Sequence, residues 1–199
     1  MEVFECIKTR RSVRRFEDRP VERETIQKIV DAAIWAPSWK NSQTPRYTMV
    51  DKREIIDDIA ENGCCDFAFN TKTLKQTPVL IVVSYVKGIC GFEKDGSYST
   101  DKKEGWQMFD AGVAAQTFAL AAHAQGVGTV MLGIYDAAYI QEKLGIPQTE
   151  EVAVLLAAGY ENLHQMHRQE RRQRTCFASC KLISINLLLF LMEFDVTFR

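Results

Sequence analysis

Four arginines and a serine fall within seven residues, in the run Arg10-Arg11-Ser12-Val13-Arg14-Arg15-Phe16. Guanidinium forks match phosphate oxygens two at a time, and the serine adds a hydroxyl donor. These residue types suit a compact anion. Arg10 and Arg14 are four apart, so a helical turn would bring them to one face. Taken alone, the motif reads equally well as a solvated basic face. The rest of the chain does not share this charge. Lys and Arg number 25 against 26 Asp and Glu, for a net charge of -1. A general nucleic-acid surface is therefore not expected.

Other chemistry finds little support. There is no G-x-x-x-x-G-K-[ST] run, and Gly133 falls too late after Gly126 and Gly128 for G-x-G-x-x-G. Side chains, not a glycine loop, must hold any phosphate. His123 reads as structural within an alanine-rich helix, and Asp110 on the same helix as a capping or pairing residue. No Ser/His/Asp or Cys/His arrangement suggests a protein nucleophile. The six cysteines are irregularly spread. Cys64 and Cys65 are adjacent and Cys176 and Cys180 lie four apart, neither pair with partners at zinc-ligand spacing, so no metal is expected. Glu2 and Glu5 stand where a secretory leader would need a basic start and an apolar run. Reduced thiols and a cytoplasmic location are the expectation.

The elements that must position these residues alternate in type. Val3 to Lys8 reads as a short helix. Ile26, Ile29, Val30, Ala33 and Ile34 recur at helical spacing within 21–35. Two prolines and small polar residues make 36–47 a loop. A strand at 47–50, a helix at 53–61 and a weaker helix at 67–76 follow. Residues 78–86 form a β-branched run, hence a buried strand. The stretch 88–105 is polar and glycine-rich, a surface loop. A long alanine-rich helix spans 106–125. Buried strands at 128–132 and 152–159 flank a short helix near 140–144. This alternation predicts one layered α+β or α/β domain.

The ordered set of segments resembles the nitroreductase-like flavoproteins. It comprises "RRSVRRF", "AAIWAPSWKNSQTPRY", Phe69-Asn70, "FDAGVAAQTFALAAHAQGVGTVMLGIYD", "LGIP" and "VAVLLAAGY". The resemblance covers about residues 1–160. It implies a three-layer α+β fold, with a mixed central β-sheet flanked by helices, in an intertwined homodimer that binds FMN at its interface. Arg10 and Ser12 would then hold the phosphate, and Arg11 the phosphate or ribityl chain. Arg14 would face the pyrimidine edge of the flavin. Pro37, Ser38, Asn41 and Gln43 resemble the segment that the second subunit lays over the flavin; the family's S-Q-P-W here reads Ser42-Gln43-Thr44-Pro45. Asn70 matches an asparagine that reaches the ring, with Lys72 beside it. Leu132 and Gly133 fall where backbone groups approach flavin N5, and Gly133 stands where some relatives carry glutamate. A positive group near N1 and C2=O favours the reduced cofactor, which fits a chain without an acid–base dyad.

The implied activity takes electrons from NADH or NADPH and passes them to a nitro compound, a quinone or a similar acceptor by a ping-pong route. Two rivals stay open. One is a flavin-fragmenting or dehalogenating enzyme, whose lid could only be 88–105. The other is a flavin-binding storage protein or redox sensor. Residues 161–199 depart from the family ending, a Pro-Lys-Arg-Lys-like segment. They retain Arg168, Arg171, Arg172 and Arg174 and then turn apolar, so they are expected to form an atypical tail on an FMN-binding domain of residues 1–160. Leu182 to Met192 is too short for a membrane span.

Overall fold

The computed structural model describes residues 1–162. The arginines of the tail, Cys176, Cys180 and the apolar run lie outside the described residues. In chain order the elements are α1 (Val3–Thr9), α2 (Arg23–Ala33), β1 (Pro45–Val50), α3 (Arg53–Asn62), α4 (Ala68–Leu74), β2 (Val79–Val86), α5 (Gly105–Ala124), β3 (Gly128–Leu132), α6 (Ala137–Leu144) and β4 (Glu150–Gly159). A 3-10 turn, Trp39–Asn41, interrupts the loop before β1.

The sheet runs β1-β2-β4-β3. Its strand pairs are antiparallel. A parallel bridge, Ser12 to Thr129, sets the arginine segment beside β3, while the four strands themselves form an antiparallel sheet. β2 is buried on both faces, which explains its unbroken apolar run. Leu80 and Val82 pack with Ile56, Ile59, Leu74 and Ile140, from α3, α4 and α6. Ile81 and Val83 face the other way, against Ile26 and Ile29 of α2 and Phe118 of α5. The result is a three-layer α+β fold. A one-residue shift in register occurs between Val83 and Ser84. It explains why Val152 and Leu155 share a face although they are three apart.

The stretch 88–105 is less superficial than its polarity suggests. Cys90 within it is fully buried. Gly91 packs so closely that a Cβ there would lie 2.5 Å from the Lys103 carbonyl oxygen.

A polar clamp joins α3 to α6. Asp58 Oδ2 accepts from Tyr139 Oη at 2.6 Å and pairs with Lys143 Nζ at 2.9 Å. Asn62 donates to Oδ1 at 3.2 Å. The Tyr139 hydrogen bond first, then Lys143, holds the Asp58 carboxyl below its usual range. A carboxyl lowered in the folded state stabilises the protein above its unfolded pKa. That contribution fades as pH falls through the folded value. Asp58→Asn should therefore melt below the parent near neutrality, with the gap closing in acid. Melting curves across pH check this; a gap that is constant with pH would contradict it.

Candidate functional site

The arginine motif is extended, not helical. α1 ends at Thr9, with Arg10 as its cap, its N–H donating to the Cys6 carbonyl. Arg11 Nη1 donates to the carbonyls of Lys8 and Arg10 at 2.7 and 2.8 Å. A guanidinium there satisfies acceptors that the helix end leaves over and complements its negative pole. The chain then runs along β3, where Val13 N donates to the Thr129 carbonyl at 3.0 Å. Val13 and Phe16 are buried, so Arg14 and Arg15 point outward. The turn that would have placed Arg10 and Arg14 on one face does not form.

Gly128 permits this docking. A Cβ added to it would lie 2.6 Å from Val13 Cγ2 and 2.8 Å from Val13 Cβ. The glycine is there for contact between strands, not as part of a nucleotide loop.

Arg14 opens onto a cavity of about 550 Å³. Arg15 and Lys72 add two more cations to its lining. Asn70, Leu132 and Gly133 complete the expected members present there. Asn70 is only 6% exposed, and its Nδ2 donates to the Ile134 carbonyl at 2.8 Å. That bond fixes α4 to the segment after β3 and leaves Oδ1 as the acceptor Asn70 can offer. A Cβ at Gly133 would meet nothing within 4 Å, so its backbone stands open. With Leu132, the side chains of Phe67, Phe69, Val130, Met131 and Ile134 supply the apolar part of the lining. Phe69 is 75% exposed and lies 5.6 Å from Phe67, centroid to centroid.

The remaining expected residues do not line this cavity. Arg10, Arg11 and Ser12 lie just upstream of Arg14 on the same segment. Pro37, Ser38, Asn41 and Gln43 belong to another loop. Ser38 and Gln43 border a separate hollow of about 290 Å³, with Ile34, Arg46 and Tyr47. Lys40, Asn41 and Gln43 in that loop have φ of 46, 54 and 50°, a region costly for non-glycine residues. Gln43 N donates to Ser38 Oγ at 2.9 Å, and Arg46 Nη1 donates to the carbonyls of Gln43 and Pro45 at 2.8 and 3.0 Å. Asp110, only 3% exposed, accepts the Trp39 N–H and the Cys90 thiol on the same oxygen, at 2.8 and 3.0 Å. The carboxylate of α5 thereby ties this loop to the 88–105 stretch.

Among the lining residues that sequence reasoning missed are Arg15, Phe67, Phe69, Met131 and Ile134. Each lies within one to three positions of a residue that was identified. The signal that could have found the phenylalanines is a pair of large apolar groups just ahead of an asparagine at the start of a short helix.

Residues 7–160 match the nitroreductase family. A relative from Methanothermobacter thermautotrophicus, provisionally named as an NADH dehydrogenase/NAD(P)H nitroreductase, is 36% identical over 68% of this chain and 62% of its own length. The chain thus spans less than two thirds of that relative. One of the same provisional name from Archaeoglobus fulgidus is 34% identical over 78% of this chain and 85% of its own. Among solved structures, an FMN-dependent nitroreductase from Clostridium difficile R20291 superposes with a TM-score of 0.67 at 27% identity, covering 85% of this chain and 92% of that one. With the three-layer sheet, the docked arginine segment and the basic cavity in place, this chain belongs to the nitroreductase family.

Proposed function

We propose that this chain is an FMN-dependent oxidoreductase, reduced by NADH or NADPH, that passes electrons to a nitro compound, a quinone or a similar small acceptor by a ping-pong route. The carrying observation is the cavity beside β3. It sets Arg14, Arg15 and Lys72 against an apolar lining, with an asparagine acceptor and an open glycine backbone between them. Such a lining fits the flat, electron-rich ring of FMN, and the arginine motif just upstream of Arg14 suits its dianionic phosphate. Arg10 and Ser12 would hold the phosphate, Arg11 the phosphate or the ribityl chain, and Arg14 the pyrimidine edge. Asn70 Oδ1 and the backbone of Leu132 and Gly133 would address the ring. Bound FMN would supply the hydride and electron transfer. The protein's part is to hold it, to place positive charge where reduction adds electrons, and to shape the space for the acceptor.

A homodimer completes this reading. Val3, Phe4 and Ile7 of α1, Ile34 and Trp35 after α2, and Met108 and Phe109 of α5 are all exposed. Apolar surface of this extent marks an interaction face. A second copy would bring Pro37, Ser38, Asn41 and Gln43 to the flavin, which their own chain's cavity lacks. Residues 1–160 would form the FMN-binding domain and 161–199 a tail added to it.

The test is an absorption spectrum of the purified protein. Peaks of oxidised flavin should appear, bleach without air on adding NADH or NADPH, and return with a nitrofuran or a quinone. A colourless protein that FMN cannot reconstitute overturns the proposal.

A further inference from the structure

His123 lies in the last turn of α5 and reaches across to α1. Its Nε2 is 2.8 Å from Thr9 Oγ1. That hydroxyl has one proton, which it donates to the Glu5 carbonyl at 2.7 Å. Thr9 must then accept from the ring. On this hydrogen-bond network Nε2 carries the hydrogen, and Nδ1 is the atom that takes up a second proton. Protonation leaves the contact to Thr9 intact. A second tie nearby, from Cys6 Sγ to the Leu120 carbonyl at 3.4 Å, holds the same two helices together.

Thr9 is followed directly by Arg10 and Arg11. Partial burial, then the charges of Arg10 and Arg11, disfavour the protonated ring, whereas Glu161 and Glu5 favour it. A phosphate dianion seated against the two arginines would cancel their field and so raise the ring's affinity for a proton. Resting on the reading of Arg10 to Ser12 as the FMN phosphate site, we propose that His123 belongs to that site. It takes up a proton at Nδ1 as the phosphate docks, so that FMN binding and protonation reinforce each other.

The sign follows from linkage. A group whose proton affinity is higher in the complex strengthens binding as pH falls through its bound-state value. It adds nothing well above that value. The phosphate's own second ionisation, near pH 6, acts the other way. It acts equally on parent and variant, and so cancels in their ratio.

The experiment measures FMN dissociation constants by flavin fluorescence for the full chain and for His123→Gln, between about pH 5.5 and 8. Glutamine can still donate an N–H to Thr9 but cannot gain a proton. The ratio of the variant's constant to the parent's should be near one at the alkaline end. It should rise to roughly three- to tenfold at the acid end, the equivalent of half to one unit of altered proton affinity. In the parent, the His123 imidazole resonance should titrate at higher pH with FMN than with riboflavin, which lacks the phosphate. A flat ratio with an unmoved titration overturns the proposal. Arg10→Ala separates the two layers of argument. It should weaken FMN about ten- to a hundredfold but leave riboflavin unchanged. If it does so while the His123 ratio stays flat, only the histidine's role fails. If FMN affinity ignores Arg10→Ala, the phosphate site and the histidine's role fail together.

Discussion

Gly128→Ala is expected to lower stability by about 1–3 kcal/mol, the usual cost of overpacking a filled site. For a chain of this size that is roughly a 2–12 °C fall in melting temperature. The new methyl would sit 2.6 Å from Val13 Cγ2, and the nearest contacts are all to Val13, a buried branched side chain. Either β3 or the Ser12-Val13 segment must move. That segment is held by the Ser12–Thr129 bridge and the Val13 N–H bond to Thr129, so displacing it moves Arg14 as well. Weaker FMN retention should accompany the thermal loss. Gly133→Ala is the control, since a Cβ there meets nothing within 4 Å. It should leave the melting temperature unchanged. Equal thermal losses in both variants would mean that the Val13 contact is not the cause.

The elements were legible because their apolar patterns are strong. The β-branched run of β2 and the spacing of Ile26, Ile29 and Ala33 in α2 translate directly into the two faces of the core. What was not legible are contacts between segments far apart in sequence. Four arginines in seven residues announce an anion site, yet nothing local shows that the motif is extended along β3. Val13 and Phe16 decide that by burying against the sheet, and Gly128, more than a hundred residues later, makes room. Asn70 was expected through the family's pattern, but its bond to the Ile134 carbonyl was not. The polar stretch 88–105 reads as surface because its ties to α5, Cys90 to Asp110 and the Gly88 N–H to Gln107, join residues about twenty apart in sequence. The clustering of strained backbone at Lys40, Asn41 and Gln43 has little signature in residue type, since none of the three is glycine and Asn41 alone is of a type that favours positive φ.

Asp110 shows how much one such contact can carry. On sequence it could only be a capping or pairing residue. In the structure its Oδ2 takes both the Trp39 N–H and the Cys90 thiol. Burial, reinforced by Asp110 itself, pushes the Cys90 thiol up to about 12, so at neutral pH it keeps its proton and remains a donor. Asp110→Ala removes the shared acceptor and strands both donors. Each stranded group costs about 1–3 kcal/mol, the backbone N–H more than the weakly polar thiol. The loop with three residues at positive φ would lose the contact that fixes its start, so Ser38, Asn41 and Gln43 should lose their positions as well. Asp110→Ala is therefore expected to melt well below the parent and to retain less FMN. Because both donors meet one oxygen, Asp110→Asn can supply a carbonyl in the same place and should recover most of the stability and FMN retention. Cys90→Ala, which removes the weaker donor and leaves the acceptor to Trp39, should fall in between. Melting temperatures and FMN content of the three variants decide the matter: an asparagine variant as damaged as the alanine one would mean that Asp110 acts through its charge and not as the shared acceptor of two loops.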